Sequence, residues 1–291
     1  MALDGRKGLQ PACRATEAST RSVVSVKLEL MSLSSDYKRQ LAWRPWPTIF
    51  DALPPLRGQI VLDPGCGVGD QAAEFVARGA RVIGVDMNEE LLREAQSRKL
   101  PNAEFRMSDL RTSPDLGVGV DGLWCSFTAA YFPDLLAVLA AWTRHLQPGG
   151  WVALTEIDDL FGHEPLSART KALFEAYARD AFVAERYDFH MGRKLRDHLE
   201  RSGFTVSKML TLEDQELSFG GPARPEVVDA WRTRFDRMKL LRDFCAPNFE
   251  QVREEFLGCL MRADHSSVAK VYCCIATKQG AQACANARPD A

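Results

Sequence analysis

Gly65, Gly67 and Gly69 stand at alternating positions just after the apolar run Gln59-Ile60-Val61-Leu62-Asp63. A strand that turns at once into a helix presents free backbone N–H groups and the positive end of a helix dipole. Glycines let a ligand approach that backbone with no Cβ in the way. The chemistry is therefore the holding of a nucleotide-like ligand. A dinucleotide site of the Gly-x-Gly-x-x-Gly kind is one form of it. Here the last of those positions is Asp70 rather than glycine. Its carboxylate disfavours a pyrophosphate by about 0.3–1 kcal/mol, the size of one like charge at a helix N-terminus. Asp63 is a second mismatch with an anion and suits a cationic group such as an α-amino group.

Two more acids follow at strand ends. Asp86 closes Arg81-Val82-Ile83-Gly84-Val85-Asp86, 21 residues after Gly65. A carboxylate there can accept both hydroxyls of a ribose, whatever the rest of the cofactor. Asp109, in Phe105-Arg106-Met107-Ser108-Asp109-Leu110, can accept the exocyclic amine of adenine, or can serve as a turn former or helix cap.

These residues need a sheet to position them. The periodicity predicts strands at 59–63, 81–86, 103–107, 122–127 and 151–157. Helices at 71–77, 88–99 and 134–145 separate most of them, with Asn88 as an N-cap and a Pro148-Gly149-Gly150 turn before the fifth strand. Such alternation gives an α/β fold with a doubly wound, mostly parallel sheet. Further on the pattern gives helices at 167–184 and 192–202, a strand at 205–212, helices at 226–242 and 249–261, and a strand at 270–277. Helical insertions thus follow strands five and six. The expected organisation is a tail at 1–30 and one domain at 31–279. Within it lie an N-terminal helical lid at 31–56 and substrate-side insertions at 159–191 and 213–268. A second tail is expected at 280–291.

The bulk numbers narrow the partners. The chain has 291 residues, 46% hydrophobic and 26% charged, with a net charge of −2. That balance argues against the basic field of a nucleic-acid binder. No apolar run approaches the ~18 residues that span a bilayer. None of the eight cysteines forms a Cys-x-x-Cys pair, so no metal site is suggested, and buried thiols in a reducing cytoplasm are expected. The expected partner is a small-molecule acceptor, with a homodimer compatible.

The pieces Val61-Leu62-Asp63-Pro64-Gly65-Cys66-Gly67-Val68-Gly69, Val85-Asp86, Ser108-Asp109 and Leu146-Gln147-Pro148-Gly149-Gly150-Trp151 occur in that order. This resembles the class I S-adenosylmethionine-dependent methyltransferases, of small-molecule type, over residues 36–158. Pro64 is a variation on the family's loop. The resemblance implies a seven-stranded, Rossmann-like sheet whose last strand runs antiparallel. It implies S-adenosylmethionine as cofactor, with Gly65, Cys66 and Gly67 near its methionine part, Asp86 and Met87 at the ribose, and Ser108, Asp109 and Leu110 near adenine. Ser126 and Phe127 would face the methyl group and the acceptor, with Tyr131 nearby.

Methyl transfer is an in-line displacement, and alignment alone contributes ~7–11 kcal/mol. The acceptor pocket is expected from the N-terminal piece and the insertions. Trp43 and Trp46 can form a lid, or pack the helix onto the sheet, and Tyr37 or Arg44 can touch the cofactor carboxylate. His163 is a candidate general base, since an unperturbed histidine titrates near ~6.5. Glu156 and Asp158 can hold it or bind a substrate amine. Asp188 is a further catalytic candidate, and His190 and Glu216 are candidates for the pocket. Carboxylates mixed with aromatics suit an amine-bearing or hydroxylated aromatic acceptor. Three rivals stand beside this: a nucleic-acid or protein methyltransferase, a nicotinamide dehydrogenase, and a non-catalytic S-adenosylmethionine-binding partner. The first lacks its Pro-Pro-aromatic signature at Cys125-Ser126-Phe127-Thr128, and Asp63 and Asp70 disfavour the second.

Overall fold

The structure, a computed structural model, describes residues 41–278. Both expected tails and Tyr37 lie outside the described residues, as does part of the expected lid.

The described chain starts with α1 (Trp46–Ala52), then β1 (Ile60–Pro64), α2 (Asp70–Ala77), β2 (Arg81–Asp86), α3 (Glu89–Ser97) and β3 (Ala103–Met107). It continues through β4 (Val120–Ser126), α4 (Leu135–Trp142) and β5 (Leu146–Asp158). A short strand β6 (His163–Glu164), α5 (Ala168–Val183), α6 (Met191–Arg201) and β7 (Phe204–Leu212) follow. Last come α7 (Pro225–Arg237), α8 (Lys239–Cys245), α9 (Phe249–Leu260), a short β8 (Ser266–Ser267) and β9 (Lys270–Lys278).

Seven strands form one sheet in the order β3-β2-β1-β4-β5-β9-β7. Strands β1 to β5 pair in parallel, and β9 runs antiparallel to both β5 and β7. The central strands are buried on both faces, which is why β1 and β2 read as near-continuous apolar runs. Asn88 caps α3 by accepting from the N–H groups of Glu90 and Leu91. One core fills each face of the sheet. On the first, Phe50 stacks on Trp124 at 5.1 Å, tying α1 down beside β4.

Three differences from the expected elements have local causes. The Pro148-Gly149-Gly150 turn is absorbed into β5, which begins at Leu146. The helix expected at 226–242 breaks at Met238, whose ψ of 65° is not helical, so α8 sets off anew. Two short strands were not expected. β6 pairs with β8 antiparallel, His163 opposite Ser267, and so clasps the start of the first insertion to the end of the second.

Candidate active site

The turn from β1 into α2 places its backbone over the carboxyl end of β2. Gly65 N–H donates to Val85 O at 2.7 Å, and Gly67 N–H to Asp86 Oδ2 at 2.9 Å. Asp86 Oδ1 accepts from Asn88 N–H at 2.8 Å. Each carboxylate oxygen keeps a lone pair for a further donor. Gly65 has φ +80°, and a Cβ there would stand 2.2 Å from Thr128 Oγ1. Gly69 has φ +75° at the N-cap of α2, and a Cβ there would press Phe105 at 2.9 Å. Both positions therefore need glycine for backbone angle and for space.

A cavity of about 800 Å³ opens at these strand ends. One end is walled by Gly65, Cys66, Gly67, Asp86, Met87 and Leu110. The other is walled by Phe127, Tyr131, Leu160, Tyr187, Arg234 and Arg237, with Ser126, Arg44 and Trp46 also on the wall. Phe127 holds φ +53°, a bulky residue in left-handed backbone. Such a conformation costs on the order of 1–3 kcal/mol and persists only where its surroundings enforce it. Here its N–H donates to Thr155 O at 2.8 Å, and Trp46 meets its ring edge-on at 6.2 Å.

The two acids of the loop behave differently from bare charges. Asp70 pairs with Arg98 from the end of α3. Asp63 is buried behind the loop, off the cavity wall, and its Oδ2 has no hydrogen-bond partner. Burial, helped by the Asp86 charge, pushes its pKa up to about 8. The charges expected to repel a pyrophosphate are thus largely muted.

The remaining candidates divide sharply. Ser126, Phe127 and Tyr131 share the cavity wall with Arg44. Glu216 is fully buried between Arg44 Nη2, at 2.9 Å, and Arg234. Burial alone would push its carboxyl up, but Arg234 and Arg44 together hold it down at about 2. Arg44 also grips both oxygens of Asp214, at 2.8 and 2.9 Å. Arg44 and Glu216 are therefore partners of each other.

His163 does not reach the cavity. It is sealed among Trp231, Phe256 and Phe219, with Nδ1 against His265 Nε2 at 2.9 Å. Burial, with His265 beside it, drives its pKa down to about 3, so the general-base expectation is corrected. The reason is the β6–β8 clasp, which turns the ring inward. Glu156 lies under the wall, accepting from Ala130 N–H at 3.0 Å, and burial pushes it up to about 8. Asp188 accepts from Lys194 at 2.6 Å and from His190 N–H at 2.9 Å. Asp158 accepts from Arg193 Nε at 2.7 and 2.9 Å, with His190 Nδ1 4.0 Å away. None of Glu156, Asp158, Asp188 and His190 lines the cavity. Each carboxylate already has its partner inside the fold.

Three cofactor-side expectations also move. Asp109 is off the wall, half-exposed and bound to Arg111, whose hydrogen bonds hold it down at about 2. Ser108 is off the wall too, with its N–H on Asp86 O, whereas Leu110 and Arg111 are on it. Trp43 is buried with Arg224 5.9 Å over its ring, packing on the second insertion rather than covering the cavity. Trp46 does reach the wall.

Sequence reasoning missed Thr128, Arg111, Arg234 and Arg237, all on the wall. One signal was available. Arg234 and Arg237 are three apart on α7, the spacing that puts two side chains on one helix face.

A seven-stranded sheet with an antiparallel β9 between β5 and β7, and a glycine turn at the carboxyl end of β1, defines the Rossmann-like methyltransferase fold. Residues 61–150, about a third of the chain, match a family model described as "Methyltransferase domain". Ubiquinone biosynthesis O-methyltransferase of Paracidovorax citrulli is 33% identical over 113 residues, 37% of this chain and 48% of that one. Nocamycin O-methyltransferase of Saccharothrix syringae is 38% identical over 115 residues, 37% of this chain and 41% of that one. The chain thus spans less than half the length of these curated relatives. A Bacillus halodurans protein solved as a candidate methyltransferase has a similar structure, with TM-score 0.53 at 17% identity, over 80% of this chain and 96% of that one. That likeness concerns the fold alone.

Proposed function

We propose that the chain is an S-adenosylmethionine-dependent methyltransferase acting on a small molecule, with an oxygen or nitrogen acceptor on a hydroxylated or amine-bearing aromatic compound. The observation that carries this is the pairing of the Gly65–Gly69 turn with Asp86 on one cavity wall. The residues fit the cofactor. Gly65 and Gly67 open the backbone to it, and the free lone pairs of Asp86 suit a ribose diol. Ser126 on the wall has a buried hydroxyl with no partner, a donor or acceptor kept for a ligand.

When bound, S-adenosylmethionine supplies an electrophilic methyl group. The chain's part is alignment and exclusion of water. Phe127, Tyr131 and Tyr187 present rings around the place where the acceptor would lie; Tyr131 meets Tyr187 edge-on at 5.0 Å. With every expected carboxylate base engaged elsewhere, catalysis rests on placing the acceptor in line. Of the expected lid, Leu41, Arg44 and Trp46 line the cavity, and 159–191 with 213–268 would supply the acceptor side. The six free, buried cysteines among the described residues support a reducing, cytoplasmic setting. Among those residues no helix is long and apolar enough to cross a membrane.

Thermal shift with S-adenosylhomocysteine against NAD tests the cofactor, with stabilisation by the former expected. Preferential stabilisation by NAD would overturn the reading. Mass spectrometry of a phenol and amine panel tests the acceptor, and methyl transfer confined to protein or RNA would remove the small-molecule class.

A further inference from the structure

Among the described residues, the insertion end of the cavity carries two arginines and, at its rim, one acid. Arg234 and Arg237 of α7 both line it. Arg234 is held in place by Glu216 on one side and by Trp231, whose ring its guanidinium overlies at 5.1 Å. Its Nε is buried and has no hydrogen-bond partner. A buried guanidinium N–H left unmade is costly, and a charge-assisted bond is the strong way to satisfy it. Glu216 and Asp214, the carboxylates of this cluster, are engaged otherwise. Glu216 is shared with Arg44, and Asp214 takes Arg44 together with the N–H groups of Glu216 and Leu217. Glu185 is the one acid lining this end of the cavity, and it is exposed at the rim.

We propose that the acceptor molecule carries an oxyanion, of the carboxylate kind, that docks on Arg234 with Arg237 beside it. This rests on the methyltransferase reading and narrows it from aromatic acceptors in general to acidic ones. An amine-bearing acceptor would instead bring a cation to the Arg234 guanidinium, held by Glu216 and Trp231. A planar fork of donors suits a carboxylate, and grips the acceptor at a point away from the reacting atom. The cofactor's own carboxylate has the same chemistry and is the other source of such an anion.

Three probes share one ring: 3,4-dihydroxybenzoate, catechol and dopamine, carrying a carboxylate, nothing and an ammonium. Each is titrated by calorimetry into the full chain saturated with S-adenosylhomocysteine. The acid should bind roughly tenfold or more tighter than catechol, and dopamine most weakly, the scale of one charge-assisted hydrogen bond. Arg234→Gln should abolish that preference while leaving S-adenosylhomocysteine affinity unchanged, and Arg234→Lys should keep part of it. Equal affinities, a preference for dopamine, or no detectable binding of the acid would overturn the proposal in the wild-type chain alone, whether or not the variants fold. A variant that loses S-adenosylhomocysteine affinity instead would assign Arg234 to the cofactor and also overturn it. Failure of the wild-type chain to bind S-adenosylhomocysteine at all would remove the underlying reading as well, a result distinct from the others.

Discussion

Asp63 and Glu216 are both buried carboxylates near the same cavity, yet they titrate in opposite directions. Asp63, behind the glycine turn, is pushed up to about 8 by burial and by Asp86. Glu216, behind the insertion end, is held down at about 2 because Arg234 and Arg44 outweigh its burial. The desolvation is common to both, and the presence or absence of a guanidinium decides the outcome. The turn end is built from neighbours in sequence and leaves polar groups unsatisfied. The insertion end is built from four charged side chains on three distant segments, and its carboxylates are spent on holding those segments together. One end is a preformed cradle, the other a structural lock with spare donors.

The largest effect is expected where that lock is broken. Glu216→Ala leaves buried Arg44 and part-buried Arg234 without their shared partner, which should cost ~3–5 kcal/mol of stability in urea denaturation. The sign with pH follows from the lowered pKa. Its contribution is fully present above the ordinary glutamate value of 4.5 and is lost as pH falls towards about 2. A loss under about 1 kcal/mol would mean that the cluster is no more than a surface-like pair. Next comes Asp86→Ala, which strikes the cradle. It removes the acceptors for Gly67 and Asn88 N–H and the proposed ribose contacts. S-adenosylhomocysteine affinity should fall roughly 10–100-fold, the scale of hydrogen bonds to a charged group. An unchanged dissociation constant would detach the cradle from the cofactor.

The same contrast explains what was legible in the sequence. Gly65, Gly67 and Asp86 lie within 22 residues of chain and meet through the local backbone of the turn, so their types and spacing announce them. The sheet was equally readable, because parallel strands buried on both faces leave apolar runs between capped helices. Arg44 and Glu216 are 172 positions apart, and no local pattern says that they meet. The same holds for His163. Residue type made it a candidate base, but its pairing with His265, 102 positions away, is set by the β6–β8 clasp. Asp109 misled for a different reason, since Arg111 two residues on was visible and offered the simpler partner.

A smaller effect is expected from Asp63→Asn. A carboxyl whose folded pKa is raised from 3.8 to about 8 binds its proton more tightly when folded. Wild-type stability therefore falls as pH rises through that window, and the full cost stands above about 8. The asparagine variant should lack this slope and be more stable than wild type at pH 8 by on the order of 1 kcal/mol, the cost of burying a poorly paired polar group. If Asp63 also meets the cofactor's ammonium, binding of S-adenosylhomocysteine at pH 7 should release a proton. Calorimetry in buffers of different ionisation enthalpy reads this directly, and a buffer-independent enthalpy would exclude it.

The smallest effect is expected from Asp109→Ala, and it separates the family's pattern from this chain's geometry. A carboxylate that accepts the adenine amine should lose roughly tenfold in S-adenosylhomocysteine affinity when truncated. In this fold Asp109 points to solvent and is bound to Arg111 at 2.7 Å, while the neighbouring Leu110 supplies the wall. Affinity should therefore change by no more than about twofold, and stability hardly at all, as for an ordinary surface substitution. A tenfold loss would show that Arg111 swings away when the cofactor binds and hands its carboxylate over. The turn end would then resemble the insertion end, with an ion pair as the element that ligand binding must break.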